Sequence, residues 1–321
     1  MLAAFTNTYG PADVLEVREA PMPSLGPRDV LVRVQASPVT AGDLRLRAAN
    51  FPGAAALAGR LMFGLRRPRH PIQGSMFAGI VMGLGSEVRD YALGDRVFGY
   101  SGRGAYAECV VMAEDGAMAR MPAGLGFDEG AALVYGLSTS LHFLDALAEL
   151  GPGQSVLILG GAGGVGRYAT QLAKHRGAEV TVSASAAKHG LARELGADHV
   201  IDYRSQDFRT LGHRYDLIFD LADVSSFRAS KASLRAGGRY VSVFVKLENL
   251  WAQAFNRFRT KQAACDVAIP DHAMIEAIAG LVEAGAVRPV IAERFELREI
   301  AAAHDSAERG PGGDVIVEMA A

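Results

Sequence analysis

Residues 155–176 read SVLILGGAGGVGRYATQLAKHR. An apolar run, Val156 to Leu159, stops on a cluster of glycines, and a segment with helical spacing, 165–176, follows at once. Within the cluster the spacing is Gly161-x-Gly163-x-x-Gly166. The first glycine of such a set permits a tight turn, and the second lets the backbone approach a pyrophosphate. The third lets the helix pack closely on the strand, while the helix amino terminus adds N–H donors and partial positive charge. Glycine-rich turns are common, but a strand before and a helix after make this one a dinucleotide-binding fingerprint. Its cofactor-lining residues are expected to be Gly161, Ala162, Gly163, Gly164, Val165 and Gly166.

The residues on either side agree with that reading. Strand candidates at Ser155–Leu159, 179–183, His199–Asp202, 217–221 and 239–245 alternate with helical spacing at 165–176 and 187–195. Apolar strands separated by helices predict a parallel sheet covered on both faces, the doubly wound α/β arrangement. Upstream, 29–36 (DVLVRVQA) alternates apolar and polar residues behind Pro21, Pro23, Gly26 and Pro27. Short runs at 77–83, Arg96–Tyr100 and 105–112 continue a mostly β module. The texture changes near Met121-Pro122. From about Gly285 the tail returns to short strands (288–295 and 314–319) around one helix and is read as rejoining the first module. The expected domains are 1–121 with 286–321, and 122–285.

Bulk properties set limits. A chain of 321 residues, 50% hydrophobic, suits two domains, and its net charge of -2 argues against a nucleic-acid binder. Cys109 and Cys265 match no metal or redox spacing. The amino-terminal residues lack a basic start followed by a long apolar run, and no long uninterrupted apolar stretch occurs. These features lead us to expect a cytoplasmic protein with no membrane span.

The second strand of the cofactor unit ends in Val182-Ser183-Ala184-Ser185-Ala186-Ala187-Lys188. A site for NAD places a carboxylate about 20 residues past the glycines, on the ribose 2′-OH. Here no carboxylate stands to repel a 2′-phosphate. Ser183 and Ser185 offer hydroxyls, and Lys188 offers a charge-assisted donor, although a lysine early in a helix is also an ordinary solvated residue. NADPH is therefore the expected cofactor.

Together, EVREAPMPSLGPRDVLVRVQASPVTAGD, LGDRVFGY, GAYAECVV, LGGAGGVG, ELGADHVIDYR and GGDVIVEMA resemble the medium-chain dehydrogenase/reductases over essentially the whole chain. The resemblance implies a GroES-like, mostly β domain, a Rossmann-type domain and an active site in the cleft between them. Zinc-dependent members carry a Cys before Gly-Thr-Asp, a His-Glu pair after a Gly and a third ligand ahead of Ser-Thr. The matching positions here are Thr40, Ser75 and Tyr135, none a usual zinc ligand. Cys109 stands alone where the structural zinc site has four cysteines. The chain thus resembles the zinc-free quinone oxidoreductase branch, with its enone- and enoyl-reducing relatives, and no metal is expected. The branch implies that Tyr203, in Ile201-Asp202-Tyr203-Arg204, joins Ser185 and Lys188 at the adenosine side, and that Thr139 lies beside the nicotinamide. Phe244 stands where relatives have a glycine after the last Rossmann strand, and Leu221-Ala222-Asp223 where they often have Val-Gly. A homodimer, formed through the strand near residues 263–269, is implied in the same way.

Without a Lewis acid to polarise a carbonyl, the substrate should be intrinsically electrophilic, which suits a small hydrophobic quinone or α,β-unsaturated carbonyl. Tyr135 is the candidate proton donor, or alternatively an aromatic wall. Thr40 and Asp43 line the same pocket by motif, although Asp43 equally suits a role in loop structure or a pair with Arg45 or Arg47. Arg60, Arg66, Arg67 and Arg69 surround Leu61-Met62-Phe63-Gly64-Leu65. They read as a solvated amphipathic helix or as a basic mouth for a phosphate-bearing acyl carrier. The second reading would make the chain an enoyl-thioester reductase. A non-catalytic nucleotide-binding protein is the third alternative. His70, His142 and His175 read as ordinary residues.

Overall fold

The computed structural model describes residues 1–50, 55–258 and 260–319. The chain forms two compact units. One is built chiefly from residues 1–50, Ala56–Tyr135 and 270–319, the other from Gly136–Ile269.

The first unit opens with β1 (Leu2–Thr6) and β2 (Leu15–Glu19), an antiparallel pair. It continues through β3 (Asp29–Pro38), β4 (Met76–Leu84), β5 (Arg96–Tyr100), β6 (Cys109–Ala113) and β7 (Met118–Arg120). The second unit contributes β8 (Ser155–Leu159), β9 (Glu179–Ala184), β10 (His199–Asp202), β11 (Tyr215–Asp220), β12 (Leu234–Ser242) and β13 (Gln262–Cys265). The chain then returns to the first unit for β14 (Ile291–Glu296) and β15 (Asp314–Glu318).

The first unit's larger sheet runs β14-β15-β3-β4-β5-β7, with β6 also on β3. β15 pairs antiparallel with β3, Ile316 opposite Pro38, so the tail completes the sheet that the first residues begin. Alternate residues of β3, Val30, Val32 and Val34, enter a core with Phe77, Val97 and Val317. The period of two in DVLVRVQA has its cause in that one-sided burial.

In the second unit all six strands are parallel, in the order β10-β9-β8-β11-β12-β13. This is the doubly wound arrangement whose strand order reverses at β8. Every residue of β8 is buried, as a central strand covered on both faces requires.

Three local departures have physical causes. β12 starts at Leu234, ahead of the expected 239–245, and its pairing with β11 shifts register between Tyr215 and Leu217. Within it Gly237 takes a positive φ of 79°, open to glycine without strain. Of the run 105–112, Ala107 forms only an isolated bridge to Ala3, and the strand proper begins at Cys109. The helix Phe127–Leu141 continues as a π turn over His142–Leu147, where Asp145 receives Arg176 Nη2 at 2.6 Å.

The helix Gly164–His175 packs on the helix Phe127–Leu141 at Gly136. A Cβ on Gly136 would lie 1.9 Å from Tyr168 Cδ2, inside a fully buried ring. Glycine to alanine in an exposed helix stabilises by about 1 kcal/mol. At this position the sign should reverse, because overpacking a core costs roughly 1–3 kcal/mol. Gly136→Ala is expected to lower the urea midpoint, and a midpoint at or above wild type would contradict the packing described.

Candidate active site

The glycine turn begins at Gly160, whose φ of 82° is a left-handed conformation that glycine adopts freely. Gly163 N–H donates to Gly160 O at 2.9 Å and closes the turn. Gly163 is also the N-cap of the helix Gly164–His175 and supplies no side-chain cap. The N–H groups of the first turn are thus left to whatever lies at the helix end. A Cβ on Gly166 would sit 2.1 Å from Gly160 O, and one on Gly161 would sit 2.8 Å from Val182. Thr170 Oγ1 secures the turn by donating to Gly161 O at 3.1 Å. Ala162 and Gly166 are buried, while Gly163, Gly164 and Val165 face outward. A bare helix end rimmed by glycine backbone fits a dinucleotide pyrophosphate.

Register brings the adjoining strand ends to the same edge. Leu159 of β8 lies opposite Ser183 of β9, and Ala184 opposite Asp202 of β10. Gly160 N–H donates to Ser183 O at 3.0 Å, which ties the turn to β9. Ser183 is buried, whereas Ser185 and Lys188 are half-buried at the rim. Ser185 caps the short turn Ala186–Lys188 without using its side chain. Tyr203 is exposed just past β10, with the Arg204 guanidinium 5.9 Å from its ring centre. Arg204 is an addition to the predicted set; its position beside Tyr203 was the available signal. The carboxylate of Asp202 is turned onto Arg204 N–H at 3.0 Å.

At the ends of β11 and β12 the chief fixture is Asp220, which the sequence reading missed. Fully buried, it accepts from the N–H groups of Ala222, Asp223 and Ser225 and from the Tyr240 hydroxyl at 2.8 Å. Asp223, at a φ of 59°, pairs with Lys246 at 2.5 Å. Phe244 is buried just past β12; its N–H donates to Ser242 Oγ and its carbonyl accepts from Asn249 Nδ2. Thr139 lies buried one helical turn beyond Gly136, on the side that Tyr168 contacts.

In the first unit Thr40 and Asp43 form a capping box for the helix Ala41–Ala48. Thr40 Oγ1 donates to Asp43 Oδ2 at 2.6 Å, Thr40 N–H donates to the same oxygen at 2.9 Å, and Asp43 N–H returns to Thr40 Oγ1 at 3.2 Å. Ser75 Oγ donates to the other Asp43 oxygen at 3.4 Å. Burial raises the Asp43 pKa, opposed by hydrogen bonds from Thr40, Tyr106 and Ser75. Burial likewise raises the Tyr135 phenol, and the charges of Arg45 and Asp43 reach it with opposite effect. The four residues Thr40, Asp43, Ser75 and Tyr135 are thus brought into one neighbourhood. Asp43 also walls a cavity of about 90 Å³ with His70, Gln73 and Arg103, and Gln73 Oε1 is buried without a hydrogen-bond partner. As a zinc site this set does not fit, because its donors are hydroxyls and one carboxylate already bound in the helix cap.

Behind the capping box lies a buried polar group that the sequence reading did not find. Arg47, almost wholly enclosed, donates to Gly10 O and pairs with Glu308. His304 meets the Tyr106 ring edge-on at 5.6 Å, and neither ring nitrogen has a partner. Burial, reinforced by the Arg47 charge, lowers the His304 pKa to about 3. The imidazole is therefore neutral in the folded chain. Below its unfolded pKa of about 6.5 the unfolded state binds a proton that the native state refuses. Stability should fall as pH drops from about 6.5 toward 3, with a slope of up to about 1.4 kcal/mol per pH unit from this group, and be flat above that window. Urea midpoints of wild type and His304→Phe across pH 5–8 would check this, since the variant should lose that part of the slope. Parallel profiles would contradict it.

Residues 26–135 match the alcohol dehydrogenase GroES-like domain, and residues 195–312 match the family described as zinc-binding dehydrogenase. A quinone oxidoreductase of Pseudomonas aeruginosa is 32% identical over 96% of this chain and 97% of its own length. A 2-methylene-furan-3-one reductase of Solanum lycopersicum is 30% identical over 88% of this chain and 69% of its own. Among solved structures, the quinone oxidoreductase from Coxiella burnetii superposes with a TM-score of 0.86 at 28% identity, covering 99% of both chains. With its GroES-like and Rossmann-like units, the chain belongs to the medium-chain dehydrogenase/reductase superfamily and is quinone oxidoreductase-like.

Proposed function

We propose that the chain is a zinc-independent, NADPH-dependent oxidoreductase that reduces a small hydrophobic quinone or α,β-unsaturated carbonyl. The observation that carries this reading is the strand edge around the glycine turn. Ser185, Lys188, Tyr203 and Arg204 gather there, and no carboxylate occurs between Ser183 and Lys188. A 2′-phosphate is favoured by cationic and hydroxyl donors and repelled by a carboxylate at that place.

The N–H groups of Gly164, Val165 and Gly166 would hold the pyrophosphate, and Ser185, Lys188 and Tyr203 the 2′-phosphate. When bound, the nicotinamide supplies a hydride. Addition of hydride to a conjugated carbon moves negative charge onto the substrate oxygen, where a hydrogen-bond donor stabilises it. Tyr135 is that donor in our reading, because burial keeps its phenol protonated. A positioned donor of this kind is worth about 3–4 kcal/mol. Thr40 and Asp43, held to each other in the helix cap, would keep the pocket wall rigid around it. The furanone reductase and quinone oxidoreductase relatives support this substrate class. The acyl-thioester alternative draws less support, since Arg60 and Arg69 donate to the carbonyls of Leu65 and Leu61 within their own segment. Residues 51–54, at the start of that segment, lie outside the described residues.

The test is NADPH oxidation across quinones, enones, acyl-thioesters and saturated aldehydes, with and without a chelator. Quinones or enones should turn over, aldehydes should not, and the chelator should have no effect. Loss of activity on chelation, or equal turnover of aldehydes, would overturn the reading. Tyr135→Phe should lower kcat by about 100- to 1,000-fold with little change in KM. An unchanged kcat would reduce Tyr135 to a packing role.

A further inference from the structure

The helix Leu247–Ala254 and the turn Asn256–Phe258 lie along the outer edge of β13, and their polar and apolar faces are inverted. Their amides point inward. Gln253 Oε1 accepts Cys265 N–H at 3.1 Å, and Asn256 accepts Ala263 N–H at 2.9 Å and donates to Ala263 O at 2.8 Å. These are the backbone groups that an edge strand would otherwise offer to another strand. The implied pairing of a second copy near residues 263–269 would have to displace these amides.

The apolar residues point the other way. Leu247, Leu250, Trp251, Phe255 and Phe258 recur at helical spacing, and Leu247, Trp251 and Phe258 are 61%, 65% and 69% exposed. Trp251 and Phe255 stack at 6.1 Å and Phe255 and Phe258 lie at 6.5 Å, an exposed aromatic row. A large exposed apolar patch of this kind marks an interaction surface.

The charges beside it select the partner. Glu248 is the single carboxylate among residues 246–258; Lys246 is paired with Asp223, and Arg257 and Lys261 carry the remaining charge among the described residues of the segment. The Arg257 guanidinium lies over the Phe258 ring at 4.6 Å. Lys261 donates to Lys231 O at 2.7 Å, and the charges of Arg214 and Lys231 reach it, adding to the burial that lowers its pKa. A two-fold pairing of this face with itself would bring like charges together. An anionic lipid surface would neutralise them and bury the aromatic row.

We propose that the helix Leu247–Ala254 and the turn Asn256–Phe258, with Lys261 beside them, form a peripheral docking element for anionic lipid membranes, with Trp251, Phe255 and Phe258 entering the headgroup–acyl boundary. No helix among the described residues is long and apolar enough to cross a membrane, so the contact is interfacial. Trp251 is the only tryptophan in the chain, which makes its fluorescence a direct reporter. The full-length protein is mixed with phosphatidylcholine vesicles containing or lacking phosphatidylglycerol. Its emission should shift to the blue, and the protein should co-sediment, only with the anionic vesicles, and salt should weaken both. Arg257→Glu and Phe258→Ser, both at exposed positions, should each reduce co-sedimentation about tenfold with an unchanged urea midpoint. The proposal is overturned by no shift with anionic vesicles, or by equal binding to uncharged ones. It is equally overturned by a blue shift that grows with protein concentration without vesicles, which would assign the face to a second copy.

Discussion

The cofactor half of this protein depends on one close approach, that of Gly166 to the carbonyl of Gly160. Even a methyl group there would sit 2.1 Å from that oxygen. The contact holds the start of a helix directly over the end of β8 and leaves the first-turn N–H groups facing out. Because β8 is the strand at which the sheet order reverses, the ends of β9 and β10 lie to one side of the turn and those of β11 and β12 to the other. Each flank then has its own role. On one side lie Ser185, Lys188, Tyr203 and Arg204, where the nearest carboxylate, that of Asp202, is turned onto Arg204 N–H. On the other, Asp220 ties a loop together with four hydrogen bonds and so leaves no free carboxylate.

The first unit uses its polar residues differently. Thr40 and Asp43 stand in positions that the family resemblance ties to the reacting centre, and the structure shows them engaged in capping a helix. The two descriptions are compatible, since a carboxylate with its lone pairs occupied makes a stiff pocket wall. Tyr135 differs from them in being a phenol that burial keeps protonated, which is why the proposed chemistry rests on it. The buried Arg47, which reaches the exposed Glu308, and the neutral His304 behind the box show that this unit encloses polar groups.

The strands were legible wherever burial is one-sided or complete. The alternation in 29–36 and the apolar run at Ser155–Leu159 appear as β3 and β8 because a sheet imposes those periods directly. The returning tail was legible from its change of texture. Asp220 and His304 were not, since a single polar residue in an apolar run carries no sign of whether its partners lie across the fold or are missing. The helix Leu247–Ala254 shows a further limit. Its period states which residues share a face, but not which face turns inward. Here edge-strand backbone groups drew the amides in and left the aromatics out.

The central claim is that the rim beside the glycine turn selects a 2′-phosphate. Calorimetric titration of wild type and Ser185→Asp with NADPH and NADH tests it most directly. Wild type should bind NADPH at least about tenfold more tightly, equivalent to about 1.4 kcal/mol, and the introduced carboxylate should abolish or reverse that preference. Equal affinity of wild type for the two dinucleotides, or an unchanged preference in the variant, would contradict the account.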